Sequence, residues 1–383
     1  MVEKDKMAKT VKKKSKSSLT ILLLVVFFAC LYVFYPRTFV YITPDIILSN
    51  IVDVGHNDNE IVPVNTTATS SGDIETPEEK PFIATHVSIP KQVKGIYMTA
   101  CVAATPSFRN KLVKLIQETE LNTVIIDIKD YSGTISFDID DSLVLKTNGG
   151  GCRVSDMREF VQSLHEEDIY VVGRITVFQD PFYTKEFPEL AVKKASATST
   201  VWKDHKGISF VDVGAEEYWK YIVALSKGSY KAGFDELNYD YIRFPSDGNM
   251  YDIYYPFSEG RIIADPDLGK AEILRDFFTY LYEEMKDTDV ILSADLFGMT
   301  MTNPDDLNIG QVLEYTAPYF DYIAPMVYPS HYPNGFNGYQ NVNDHPYEIV
   351  KYSMDEGVRR LKEMANSTTT PIGGRGEVSS DQL

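Results

Sequence analysis

The sequence predicts an α/β chain of the (β/α)8 TIM-barrel type, truncated after about six βα units and preceded by an N-terminal transmembrane helix. Three observations predict it. From Val93 onward, short β-branched runs alternate with amphipathic stretches, the pattern of a parallel sheet with helices outside it. Polar and charged residues collect at the C-terminal ends of those runs, where barrels of this kind carry their chemistry. And one uncharged run of barrier-spanning length stands near the N-terminus.

That run is Leu19–Tyr35, LTILLLVVFFACLYVFY. Residues 1–18 before it are lysine-rich and should stay in the cytoplasm, which puts the C-terminal body outside the membrane. Tyr35, Pro36 and Arg37 follow where a cleaved leader would show a small-x-small site, so residues 19–36 are expected to remain as a single-pass anchor. Residues 37–90 read as a linker, because few large apolar side chains stand between 65 and 80 to build a core.

The body, residues 91–365, follows. Val93–Ala100 is the first strand, and Ser107–Glu120 the first helix, with Leu112, Leu115 and Ile116 on one face. Thr123–Asp130 (TVIIDIKD) is the second strand. Ser155 opens a capped helix bearing Phe160, Val161 and Leu164. Tyr170–Phe178 is the third strand and Ala215–Lys231 the next helix. The fourth strand lies in FDELNYDYIRFP, Phe234–Pro245. Leu268–Lys286 is helical, Val290–Gly298 (VILSADLFG) the fifth strand, Phe320–Tyr328 (FDYIAPMVY) the sixth, and Tyr347–Met364 the last helix. Residues 366–383 form a polar tail with no strand-like run. No GxGxxG follows the first strand, and several strand ends are polar, so a barrel is expected rather than an open sheet with one switch point.

The chain of 383 residues carries a net charge of −18, and its excess of lysine sits in the first 16 residues. So acidic a body repels phosphate backbones, which excludes nucleic acid as a partner. Of three cysteines, Cys30 lies in the apolar run; Cys101 and Cys152 are free to pair, although nothing in their spacing requires it. No CxxC, HExxH, GxSxG or phosphate-loop motif occurs, so neither a metal nor another cofactor is expected.

Strand side chains alternate faces, so Glu236, Asn238 and Asp240 share one face of the fourth strand. Carboxylates inside a sheet are costly unless they are paired or used. The other strand ends supply Asp127 and Lys129, Arg174, Asp295, and Tyr328 with His331; Arg243 follows the fourth strand. Two carboxylates on a barrel rim suit glycosidic bond cleavage, one protonating the leaving oxygen and the other attacking or stabilising the sugar cation. Asp240 and Asp295 are the candidate catalytic pair. Asp127, Lys129, Arg174, Glu236, Asn238, Arg243, Tyr328 and His331 are candidate substrate-binding residues. The expected partner is a polysaccharide or oligosaccharide. A second reading is a non-catalytic, glycan-binding degenerate barrel. A metal-dependent hydrolase is disfavoured by the lack of paired histidines.

DIKD, RITVFQDP, GFDELNYDYIRFP, ADLFGM, IGQ and PMVYPSHYPNG together resemble a family of glycoside hydrolase barrels, common as membrane-anchored or secreted bacterial proteins and distantly similar to α-amylase-type barrels. The resemblance covers about residues 93–365 and implies that Asp240 is the nucleophile and Asp295 the proton donor, where the relatives usually have Glu. It also implies a seventh and an eighth strand, neither of which occurs in this sequence, hence the expectation of truncation.

Overall fold

The computed structural model describes residues 82–145 and 152–366. The expected anchor, most of the linker and the tail beyond Asn366 lie outside them. Among the described residues no helix is long and apolar enough to cross a membrane.

Six strands form one parallel sheet: β1 (Gly95–Met98), β2 (Thr123–Lys129), β3 (Tyr170–Thr176), β6 (Glu236–Asp240), β7 (Ile291–Phe297) and β8 (Tyr322–Met326). They are paired in chain order. A doubly wound sheet would reverse direction partway, whereas right-handed crossovers taken always the same way place every helix on one side. This is the order of six successive strands of a (β/α)8 barrel. A small antiparallel hairpin, β4 (Lys193–Lys194) and β5 (Ala197–Val201), stands apart in the loop after β3. It was not expected, because its short, mostly exposed sequence carries no apolar alternation.

Alternation along the strands divides the side chains. Val124, Ile126, Val171, Ile175, Leu237, Tyr239, Leu292, Ala294 and Leu296 are fully buried toward the helices. There they join Phe277, Phe278, Ile222 and Leu225 of the helices Gly269–Met285 and Glu216–Lys231 in one core. Gly173 lets this layer close: a Cβ there would stand 2.2 Å from Ile128 Cδ1 and 2.8 Å from Phe234 Cδ1. The opposite strand face carries the polar residues, with Ile125 and Val172 beneath them.

One local expectation needs correction. The helix near Ser155 spans Met157–His165 and has no side-chain cap. Asp156, at its N-cap position, is drawn instead to Arg109, whose two terminal nitrogens donate to it at 2.9 and 2.7 Å. A guanidinium in bidentate range outcompetes a local amide for the carboxylate. Cys101 and Cys152 form a disulfide, with Cα atoms 4.6 Å apart.

Candidate active site

The polar strand face is built row by row. Asp127 of β2, Arg174 of β3, Asn238 of β6 and Ser293 of β7 stand level in the pairing register. Asp240 is level with Thr176, and Asp295 with Ala324. Because Asn238 pairs with Ser293, the residues two further on, Asp240 and Asp295, are also neighbours on adjacent strands.

Arg174 joins the first two rows. Its Nη1 donates to Asp127 at 2.9 Å and its Nη2 donates to Asp240. Burial opposes the guanidinium charge, but Asp240 and Asp127 more than offset it and hold Arg174 firmly protonated. Asp240 also accepts from the Tyr241 amide at 2.6 Å. That amide is aimed by a left-handed turn, Tyr241 having φ +52°, a costly conformation for a bulky residue and one that functional sites often hold.

Asp295 is in the opposite condition. Burial, then the nearby charge of Asp240, pushes its carboxyl up to about 7, against a hydrogen bond from Asn238 Nδ2 and the charge of Arg174. The Asn238 bond is 3.0 Å long. Glu236 is raised too, by burial, although Ser293 Oγ (2.5 Å) and Tyr170 OH (3.0 Å) donate to it. Asp127 is raised by burial against the opposing hydrogen bond from Tyr97 OH.

These groups face a cleft of about 880 Å³. One wall carries Arg174, Glu236, Asn238, Asp240 and Asp295; the other is apolar, with Met326, Val327, Val350 and Met354, and Tyr97 and Tyr328 at its margins. A carboxyl pushed up to about 7, beside a second carboxyl held by a guanidinium and a backbone amide, suits acid-assisted displacement. Among the described residues no group of three or more His, Cys, Asp or Glu converges as a metal site.

Of the sequence-predicted residues, Arg174, Glu236, Asn238, Asp240, Asp295 and Tyr328 line the cleft, and Asp127 stands behind Arg174 and Tyr97. Three lie elsewhere. The register of β2 shifts between Asp127 and Lys129, so that Lys129 pairs with the outward-facing Ile175. Such a bulge turns the following side chain to the other face. Lys129 is therefore fully buried on the helix side, 2.9 Å from Asp180 Oδ2. Arg243 donates to Ser246 and lies over the Tyr241 ring, 5.3 Å from its centre. His331 is exposed and stacks on Phe297, ring centres 5.9 Å apart, beyond the cleft wall. Sequence reasoning missed Tyr97, Tyr170 and Ser293. Each shares the two-residue parity of a residue chosen on the same strand or its neighbour, which was signal enough to find them.

Fold and cleft together define an α/β barrel-type domain with an acid-lined rim. The chain belongs to the family described as "Putative glycosyl hydrolase domain", whose model matches residues 95–372, and its function is glycoside hydrolase-like. Among solved structures it is similar to a hypothetical protein from Ruminiclostridium thermocellum ATCC 27405, at 26% identity over 52% of this chain and 96% of that one, with a TM-score of 0.43. It is also similar to the PgaB (BpsB) glycoside hydrolase domain from Bordetella bronchiseptica, at 15% identity, covering 70% and 82% of the two chains, TM-score 0.49. A third similarity is to the noncanonic maltogenic α-amylase AmyB from Thermotoga neapolitana, at 13% identity over 74% and 57%, TM-score 0.40. No curated protein matches the chain.

Proposed function

We propose that the protein hydrolyses O-glycosidic bonds of a polysaccharide by a two-carboxylate mechanism. The observation that carries this reading is the pairing of Asp240, bound by Arg174 and a backbone amide, with Asp295, whose carboxyl is pushed up to about 7 beside it. Asp240 attacks the anomeric carbon while Asp295 gives its proton to the departing oxygen. Asp295, now a carboxylate, takes a proton from water. That water attacks the same carbon, and the bond to Asp240 breaks. Adjacent parallel strands lie ~4.8 Å apart. Level side chains on them approach the ~5–5.5 Å separation of retaining enzymes rather than the ~6.5–9.5 Å of inverting ones.

Arg174 and Asn238 keep the pair oriented, Glu236 and Asp127 support them from below, and Tyr97 and Tyr328 offer ring faces to sugar. Arg243 and His331 border the loops above. On the strength of Leu19–Tyr35 alone, the domain is held outside a cell membrane by a single N-terminal helix.

The test is reducing-end release from a panel of bacterial cell-wall and capsular glycans, with Asp240→Asn as control. Release that vanishes in the variant is expected. Equal release by a folded Asp240→Asn protein would overturn the assignment, and binding without release in both would favour the glycan-binding reading. Membrane fractionation of the full chain before and after deletion of residues 19–36 checks the anchor.

A further inference from the structure

Pairing between β6 and β7 stops at Tyr239 and Ala294, one residue short of the two carboxylates. Beyond that step Asp240 stays tied to the β3 side, where the Val177 amide donates to its carbonyl, and Asp295 stays paired with β8, but the β6–β7 ladder no longer links the two strands, and β6 turns away at left-handed Tyr241. One side chain occupies the gap. Gln311, fully buried, accepts from the Phe297 amide at 2.8 Å and donates to the Ile242 carbonyl at 3.2 Å. Its Nε2 also stands 3.5 Å from the carbonyl of Asp295 itself. Ile242 lies two residues past Asp240, and Phe297 two past Asp295. Both partners are backbone groups of fixed polarity, so the amide is satisfied in one orientation alone.

The loop that delivers Gln311 is costly. Leu307, Asn308 and Gly310 all have positive φ, at +52°, +57° and +84°. Leucine adopts this region only when its surroundings impose it. The surroundings here do: Asp306 accepts from the Asn308, Ile309 and Gly310 amides, the Phe244 amide donates to the Ile309 carbonyl, and Lys270 Nζ donates to the Asn308 carbonyl. Gly310 passes so close to the helix Gly269–Met285 that a Cβ would lie 3.0 Å from the Lys270 carbonyl oxygen.

We infer that Gln311 is a positioning residue that sets the separation of Asp240 and Asp295 by bridging the ends of β6 and β7. This rests on the proposed glycosidase reading for its catalytic meaning, but its structural content can be read without substrate. Asp295 is faced by Asp240 and Glu236 from β6 and by Arg174 from β3, with uncharged Ala324 level on β8. Loosening the bridge moves Asp295 away from Asp240 and toward water, and both changes lower its pKa.

The experiment is a ¹³C-carboxyl titration of the folded full chain, with the Asp295 resonance assigned by its loss in Asp295→Asn, compared among wild type, Gln311→Met and Gln311→Glu. The methionine removes both hydrogen bonds at similar volume. The glutamate keeps the Phe297 bond and sets an acceptor against the Ile242 carbonyl. Asp295 is expected to titrate at lower pH in both. On a glycan that is cleaved, kcat should fall by up to about 10²-fold, the cost of a misplacement of ~1 Å, while KM changes little and the basic limb of the rate profile moves down. Unchanged Asp295 titration in a folded variant would overturn the inference, as would failure of both variants to fold, since Gln311 would then be holding the domain rather than the pair. Persisting turnover by Asp240→Asn would instead remove the glycosidase reading and leave the titration result standing.

Discussion

Asp240 and Asp295 stand side by side on adjacent parallel strands, one residue beyond the last paired step, and the cleft treats them oppositely. Arg174 and the Tyr241 amide both donate hydrogen bonds to the first, while burial and the first one's charge push the carboxyl of the second up to about 7. If Asp295 is the proton donor, its protonated form is the active one. Activity is then expected to persist below about pH 7 and to fall as pH rises through that value, and Asp240→Asn should lower the Asp295 pKa by removing a neighbouring charge. A pH–rate profile checks the limb, and carboxyl titration checks the shift.

The same shift makes a stability prediction. A carboxyl whose folded pKa is raised contributes stability below its unfolded pKa near 4, and this is lost as pH climbs to the folded value of about 7. Asp295→Asn should therefore stabilise the fold more at pH 8 than at pH 4, by a difference on the order of a few kcal/mol at ~1.4 kcal/mol per tenfold change in proton affinity. Denaturant melts at the two pH values measure it. An equal effect at both would show that Asp295 titrates normally.

Arg174 neutralises two carboxylates at once. Arg174→Met leaves Asp127 and Asp240 buried without their cation, and breaking such a pair costs about 3–5 kcal/mol. In an enzyme that still folds, turnover should fall by more than an order of magnitude, because Asp240 then loses the guanidinium that orients it. Comparing unfolding midpoints and rates for Arg174→Met and Arg174→Lys separates the two losses.

Lys129 gives the contrasting case. It pairs with Asp180, which also accepts from the Tyr183 amide at 2.7 Å and from Tyr218 OH at 2.9 Å, all on the helix side of the sheet. Lys129→Met should destabilise by about 3–5 kcal/mol. Its kcat and KM per folded molecule should stay near those of the parent. A selective rise in KM would restore Lys129 to the substrate.

The Cys101–Cys152 bridge closes a loop of 51 residues in sequence separation. Replacing both cysteines by serine should cost about 2–4 kcal/mol, the usual range for such a crosslink. Melting of the variant, set beside melting of the native chain with and without reductant, measures it; reductant should leave the variant unmoved.

Much of this arrangement could be read from the residues. ELNYD alternates strictly, so the common face of Glu236, Asn238 and Asp240 needed only the period of a strand. Arg174 and Asp295 followed from their places as polar residues at the ends of apolar strands. The apolar periodicity of the helices located them to within a few residues, as at Glu216–Lys231 and Gly269–Met285. What was lost depended on contacts between distant parts of the chain. The parity of Ile125, Asp127 and Lys129 is equally regular, yet one irregular step in β2 reverses the last of them. Ser155 and Asp156 read as a helix start, but Arg109, remote in sequence, claims the carboxylate. Gln311 sits in a loop whose left-handed residues are conspicuous only in the backbone, and its two partners lie 69 and 14 positions away.

The irregular step in β2 also bears on selectivity. By sending an ammonium into the wall, it leaves Arg174 as the cation lining the cleft among the described residues, already engaged by two acids. A glycan bearing uronate or phosphate groups would meet a carboxyl-rich wall and, among the described residues that line the cleft, no cation other than the doubly paired Arg174. Uncharged sugars, or ones carrying an amine, face no such penalty. On the glycosidase reading, a single register slip would thus filter what the rim admits, ahead of any contact that reads the sugar itself.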